Sequence, residues 1–250
     1  MKQSISHEEH RLKNLDFCIH YLLRQEKVQA EVPMTLEGKQ RLLRILMNIW
    51  HPQPLSSDFL EAQDFELQAQ LKDKGVVRPQ GRIWKGDITQ LKVDAIVNAA
   101  NSQGLGCWHP MHACIDNAIH SAAGLQLRQE CNNILHGEEI ATGGAIITPA
   151  YNLPAKYVIH TVGPIIDTAA PTAGQEQQLA CCYRSCLRIA MDFECRSIAF
   201  CCISTGEFHF PNQRAAEIAV EACRDARIRV VFNVFKDIDY SIYSSLLKRR

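Results

Sequence analysis

The 250-residue sequence carries no surplus of charge, with 27 lysines and arginines against 27 aspartates and glutamates. A balanced chain has no overall field to draw in nucleic acid or an anionic membrane, and no stripe of basic and aromatic residues supplies one locally. Neither is expected as a partner. Long apolar runs are missing too. Nothing approaches the ~18 consecutive apolar residues of a membrane span, and charges occupy the opening MKQSISHEEH where a signal peptide would be apolar. A soluble, unexported, cytoplasmic protein is expected. No internal repeat or low-complexity tract appears.

What the chain does have is eleven cysteines. In a chain of this length without an export signal they read as reduced thiols rather than a disulfide framework. Cys181, Cys182, Cys186, Cys195, Cys201, Cys202 and Cys223 sit beside apolar residues and read as small core side chains. Cys107 and Cys114 stand apart.

Two textures divide the chain. Residues 1–74 read as helical: Leu12, Leu15, Ile19, Leu22 and Leu23 recur at helical spacing, as do Leu42, Leu43, Ile45, Leu46, Ile49 and Trp50. Pro33 and Thr35 separate these two helices, Pro52 and Pro54 close the second, and a more charged third helix is expected over 58–74. Packing of these helices on the neighbouring domain is the expectation, with a docking surface as the alternative. From Gly81 onward short β-branched runs alternate with helical segments. Strands are expected at 82–85, 95–98, 145–148, 157–162, 197–202 and 229–234, and helices at 114–123, 125–135, 175–192, 212–225 and 238–248. This alternation argues for an α/β domain, residues 75–250, with a largely parallel or mixed sheet covered on both faces.

In such sheets the ligand crevice lies beyond the carboxyl ends of the strands. Gly86-Asp87-Ile88-Thr89 follows the first strand, and Asn98-Ala99-Ala100-Asn101-Ser102 the second. Asn side chains both donate and accept, which suits a ribose. Ser204-Thr205-Gly206-Glu207-Phe208 leads into a helix whose first turn is expected to carry Pro211. A turn of this kind offers backbone donors and the positive end of a helix dipole to an anion such as a diphosphate.

The segments WKGDIT, DAIVNAANS, GGAIIT, YVIHTVGP and CISTGEFHFP, in this order, resemble the macrodomain family. The resemblance implies a three-layer α/β macrodomain with a central mixed sheet flanked by helices, here with an N-terminal helical extension, and ADP-ribose held in a surface cleft. It further implies that Asp87 recognises the adenine amine, with Ile88 assisting through its backbone. Ser204, Thr205, Gly206, Glu207 and Phe208 would wrap the diphosphate, and Phe235 would lie against the adenine, unless it is a core residue at a strand end. Asn98 and Asn101 would line the distal ribose, Asn101 holding it in reacting geometry. His160 reads as structural.

Where many hydrolytic macrodomains have a run of glycines, this chain has Cys107, His112 and Cys114 in a Cys-x4-His-x-Cys spacing. By itself the spacing matches no standard zinc finger, and buried thiols are the favoured reading of it. Thiolate and imidazole favour zinc over magnesium or calcium, and the place of the insertion resembles the zinc-containing branch of the family. Three protein ligands would leave one position open, as in catalytic zinc sites. His109, His120 and His209 are alternatives for a fourth ligand. Asp116 matches the family's Val-Asp-x-x-Ile-His segment, where it would be a catalytic or substrate-orienting carboxylate, the alternative being a helix cap.

Together these features predict a zinc-dependent hydrolase that removes mono-ADP-ribose from proteins, from Asp or Glu esters, with Asn101 and Asp116 as the catalytic residues. The alternatives are a reader of ADP-ribosylated proteins that does not cleave them, and a deacetylase of O-acetyl-ADP-ribose. The resemblance also implies bacterial relatives that reverse modifications made by sirtuin-like transferases, some of them on lipoate-carrier proteins.

Overall fold

The computed structural model describes residues 6 to 248. Residues 1 to 5 of the expected helical extension, and residues 249 and 250, lie outside the described residues. Three helices come first: α1 (His7–Glu26), α2 (Leu36–Ile49) and α3 (Ser57–Lys74). Each begins where the sequence supplies a side-chain acceptor for a free amide. Ser6 and Glu9 form a capping box on α1, Thr35 caps α2 and Ser56 caps α3. Trp50, expected as helical, instead closes α2 in an extended conformation ahead of Pro52.

Leu15, Ile19, Leu22, Leu43, Leu46, Trp50, Phe59 and Leu67 bury one another in a core of their own, joined by Leu125 from beyond the extension. Inside this core Glu66, fully buried, accepts from Arg11 Nε (2.9 Å) and Nη2 (2.8 Å), and from the amides of Gln40 and Gln70. The helices pack on the rest of the chain, α2 and α3 both meeting α4.

The remaining elements are β1 (Ile83–Lys85), β2 (Ala95–Ala99), α4 (Ile115–Ala123), α5 (Leu125–Leu135), β3 (Ala145–Pro149), β4 (Tyr157–Thr161), α6 (Ala173–Asp192), β5 (Ser197–Phe200), α7 (Asn212–Ala222), β6 (Arg229–Val234) and α8 (Asp237–Lys248). The strands form one mixed sheet in the order β1-β6-β5-β2-β4-β3. Only β3 runs antiparallel to its neighbour, in register Ile147 with Ile159. The central strands are apolar along their length, as a sheet covered on both faces requires; Ile96, Val97, Ile198, Phe200 and Val231 are fully buried.

Two expected boundaries shift for a shared reason. Pairing of β5 with β6 ends at Phe200 opposite Phe232, so Cys201 and Cys202 already belong to the turn that follows. Pro211 is the residue before α7 rather than in its first turn, which leaves the whole stretch 201–211 as a loop at the sheet edge. A short 3-10 helix, Ile88–Gln90, was not expected and follows β1 directly.

Glu66→Ala should remove the anion that neutralises buried Arg11 and cost about 3 kcal/mol in urea denaturation, the usual penalty for breaking a buried pair by deleting one partner. A loss below about 1 kcal/mol, typical of exposed pairs, would show that the Arg11 charge is met by other groups.

Candidate active site at the carboxyl ends of the strands

Sheet order determines what lies next to what. β1, β6, β5 and β2 are consecutive and parallel, so the segments after them line one edge in that order, spread over about 14 Å at ~4.8 Å per strand. After β1, Asp87 Oδ1 accepts from the Thr89 amide (3.0 Å) and hydroxyl (2.7 Å), while Lys74 Nζ from α3 lies 3.3 Å from Oδ2. Burial works against the charge, but the Thr89 and Lys74 contacts outweigh it and hold the carboxyl below its ordinary range. Ile88 is buried behind it. After β6 comes Phe235, which is 76 % exposed and therefore no core residue.

After β5, Ser204 adopts a left-handed φ of 64° and is buried. Its carbonyl accepts from the Phe210 amide at 2.9 Å, and the Thr205 hydroxyl donates to Cys202 O. The backbone amides of Gly206, Glu207 and Phe208 have no intramolecular acceptor among the described residues. The loop therefore presents three adjacent donors at the N-terminal end of α7, the arrangement that favours an anion.

After β2, Asn101 shapes its own loop: Oδ1 accepts from the Gly104 amide (3.1 Å) and Nδ2 donates to Gly106 O (3.2 Å). Asn98 lies within β2, as the expected strand 95–98 has it, and is fully buried. Its Oδ1 has no hydrogen-bond partner among the described residues. Its Nδ2 donates to Asp116 Oδ1 (2.7 Å) and to His160 Nδ1 (3.1 Å). Because His160 Nδ1 must accept, its proton sits on Nε2, 3.1 Å from Thr148 Oγ1. Burial lowers the His160 pKa to about 3, so the ring stays neutral.

Asp116 stands in the first turn of α4, but Cys114 Sγ caps that helix by accepting the Asn117 amide at 3.4 Å. The capping alternative for Asp116 is thereby excluded. Burial raises its pKa to about 6 against the opposing effects of Asn98 and the Arg128 cation.

Cys107, His112 and Cys114 converge, with one donor atom from each within 4.8 Å of the others. Cys107 Sγ is 3.5 Å from His112 Nδ1, and the opposite nitrogen, Nε2, is 3.7 Å from Glu207 Oε1. Donors ~2.0–2.3 Å from one tetrahedral ion stand about 3.5 Å apart, so two thiols and this imidazole nitrogen fit a zinc ion. Burial first, then the neighbouring Cys107, pushes the Cys114 thiol up to about 12.

Of the alternatives for a fourth ligand, the His109 ring lies 5.8 Å from that of His112, and His209 is exposed just after the 204–208 loop. His120 joins a different, wholly buried group with Cys131 and His160.

Three residues of this region were not expected from the sequence. Arg44 and Asn48 of α2 hydrogen-bond to the 109–121 segment. Arg128 of α5 donates to the carbonyls of Met47, Asn48, Trp50 and Cys107, and its guanidinium lies 4.2 Å over the Trp108 ring. A signal existed for it: in Leu125, Arg128, Cys131 and Leu135 a charge occupies one position of an apolar helical stripe.

Comparison with known proteins places these loops in a family context. A model of the Macro domain matches residues 97–219. The chain is 48 % identical to a protein-ADP-ribose hydrolase of Treponema medium, over 92 % of this chain and 97 % of that one. It is 42 % identical to a protein-ADP-ribose hydrolase of Staphylococcus aureus strain MRSA252, over 95 % and 98 %. A solved Oceanobacillus iheyensis macrodomain with ADP is 40 % identical, with a TM-score of 0.59, and covers 67 % of this chain and 89 % of its own.

Gly106 has φ 84°, and a Cβ there would meet the His120 ring at 2.8 Å. Gly106→Val should therefore strain the 101–107 loop and lower stability by roughly 1–3 kcal/mol. Thermal melting measures that loss. An unchanged melting temperature would mean that the loop relaxes freely.

Proposed function

The chain belongs to the macro domain family, and we propose that it is a protein-ADP-ribose hydrolase that releases mono-ADP-ribose from Asp or Glu esters with zinc held by Cys107, His112 and Cys114. We divide it into a helical extension, residues 1–74, and an ADP-ribose-binding domain, residues 75–250. The observation that carries the proposal is the 3.7 Å approach of His112 Nε2 to Glu207, which sets the thiol and imidazole cluster beside the loop with free amides. A diphosphate bound there would place its distal ribose at the cluster. The named activities of the full-length relatives support the reaction class.

Each group then has a task. Asp87 accepts the adenine amine and Phe235 covers the base. The amides of Gly206, Glu207 and Phe208, with Ser204 and Thr205, hold the diphosphate. Asn101 fixes the distal ribose. When bound, zinc supplies Lewis-acid polarisation next to the scissile linkage. Asp116 has Oδ1 engaged by Asn98, which leaves Oδ2 to orient the attacking water and take its proton. Asn98, with His160 behind it, holds that carboxylate rather than the ribose.

The acceptor is a modified protein, and following the family resemblance a lipoate-carrier protein belongs among the substrates assayed. Burial of Cys182, Cys186 and Cys201 among apolar side chains suits a chain whose thiols stay reduced, as in the cytoplasm. No helix among the described residues is long and apolar enough to cross a membrane.

Metal content and release of ADP-ribose from a mono-ADP-ribosylated protein, with and without chelator, test the proposal directly. Cys107→Ala should abolish zinc binding and turnover yet keep most ADP-ribose affinity by calorimetry; turnover without zinc would count heavily against the metal's role. Asp116→Ala should slow release by ~10²- to 10⁴-fold with a much smaller effect on ADP-ribose binding. Phe235→Ala should leave stability within about 0.5 kcal/mol, as for exposed positions, while weakening ADP-ribose binding by the ~1–3 kcal/mol of a lost stack. Equal affinity of that variant would remove Phe235 from the site.

A further inference from the structure

The N-terminal helices have no task in the reaction as derived. They are included in the match to the protein-ADP-ribose hydrolases, which spans 92–95 % of this chain, whereas the Oceanobacillus iheyensis macrodomain matches only 67 %. Their α2 helix lies against the segment that carries His112 and Cys114.

Two side chains make the contact. Arg44 Nε and Nη2 both donate to Asn117 Oδ1, at 3.1 and 2.6 Å. This fixes the Asn117 amide so that Nδ2 donates to His109 O at 2.9 Å. The same carbonyl accepts from the His112 amide at 3.2 Å. Arg44 is thus linked through Asn117 to the turn that presents His112. Asn48, almost fully buried, accepts the Met111 amide on Oδ1 at 3.0 Å and donates from Nδ2 to Ser121 Oγ at 3.0 Å. Met111 has a φ of 58°, a left-handed backbone that disfavours side chains with a Cβ. The residue immediately before His112 is therefore held in an unfavourable conformation, and an α2 side chain bonds the amide of that residue.

We infer that Arg44 and Asn48 are positioning residues for the zinc ligands, so that α2 acts as a brace that sets His112 against Cys107 and Cys114. The assignment rests on the metal reading given above. It goes beyond that reading because neither residue is bonded to a proposed ligand side chain; Arg44 Nη2 reaches His112 only at its carbonyl, at 3.5 Å. Residues that orient metal ligands from behind commonly contribute 10- to 100-fold to affinity, and the lost contacts here act on backbone geometry rather than on donor chemistry.

The test uses full-length protein, zinc titrated against a chromophoric chelator, and cobalt(II) absorption from thiolate charge transfer. Arg44→Met and Asn48→Leu should each weaken zinc about 10- to 100-fold and alter the cobalt spectrum, with ADP-ribose affinity retained. Arg44→Met changes a partly exposed position and is the variant less prone to unfold.

Met111→Gly added to Asn48→Leu should restore much of the zinc affinity, because glycine adopts φ 58° without the Cβ penalty. A helix that merely packs would not respond to that second change. Zinc bound as tightly by Arg44→Met and Asn48→Leu as by the parent protein would overturn the brace alone, as would failure of Met111→Gly to rescue. A parent protein that takes up no zinc would overturn the metal reading, and the brace with it.

Discussion

Parallel strands deliver their carboxyl ends to one edge of a sheet, and the loops that leave that edge inherit the strand order. Here the order β1-β6-β5-β2 puts Asp87, Phe235, the 204–208 loop and Asn101 side by side, although the chain meets them in a different sequence. Each crossover between these strands returns the chain to the same starting edge. The order of this row is thus a consequence of backbone pairing, and the side chains only specify the chemistry offered at each place in it.

Behind that row lies a layer of buried polar groups, several of them bonded to one another. Asn98 spends both amide hydrogens, on Asp116 and His160, and His160 passes its own proton toward Thr148. The low dielectric of the interior strengthens each bond of such a chain, although Asn98 Oδ1 has no hydrogen-bond partner among the described residues. Asp116 is consequently held by the sheet as well as by the helix it belongs to. The Cys107, His112 and Cys114 group is held differently, by loop backbone bonded to Asn48 of α2 and Arg128 of α5.

Much of this was legible in the sequence where the information is local. β6 and α5 fall at 229–234 and 125–135 as their periodicity predicts, and Cys107, His112 and Cys114 are close enough in sequence for their convergence to be anticipated. The bonds of Asn98 to Asp116 and His160 are not legible locally, because the ladder that sets Asn98 opposite His160 joins strands 62 residues apart. Arg44, Asn48 and Arg128 act across separations of 60 residues or more. Long-range polar contacts of this kind leave no period in the sequence, merely a charge or an amide where an apolar side chain would be expected.

Arg128 ties the fate of the two halves together. Its guanidinium neutralises the carbonyl end of α2 while also reaching Cys107 O, and Leu125, one turn earlier, fills the helical core. A shortened chain beginning near Gly75 would strip Arg128 of its three α2-end carbonyl partners and leave a bare leucine on a new surface. Domain trimming or transplantation would therefore have to redesign α5 as well, and lineages that lost the helices would be expected to have replaced that arginine.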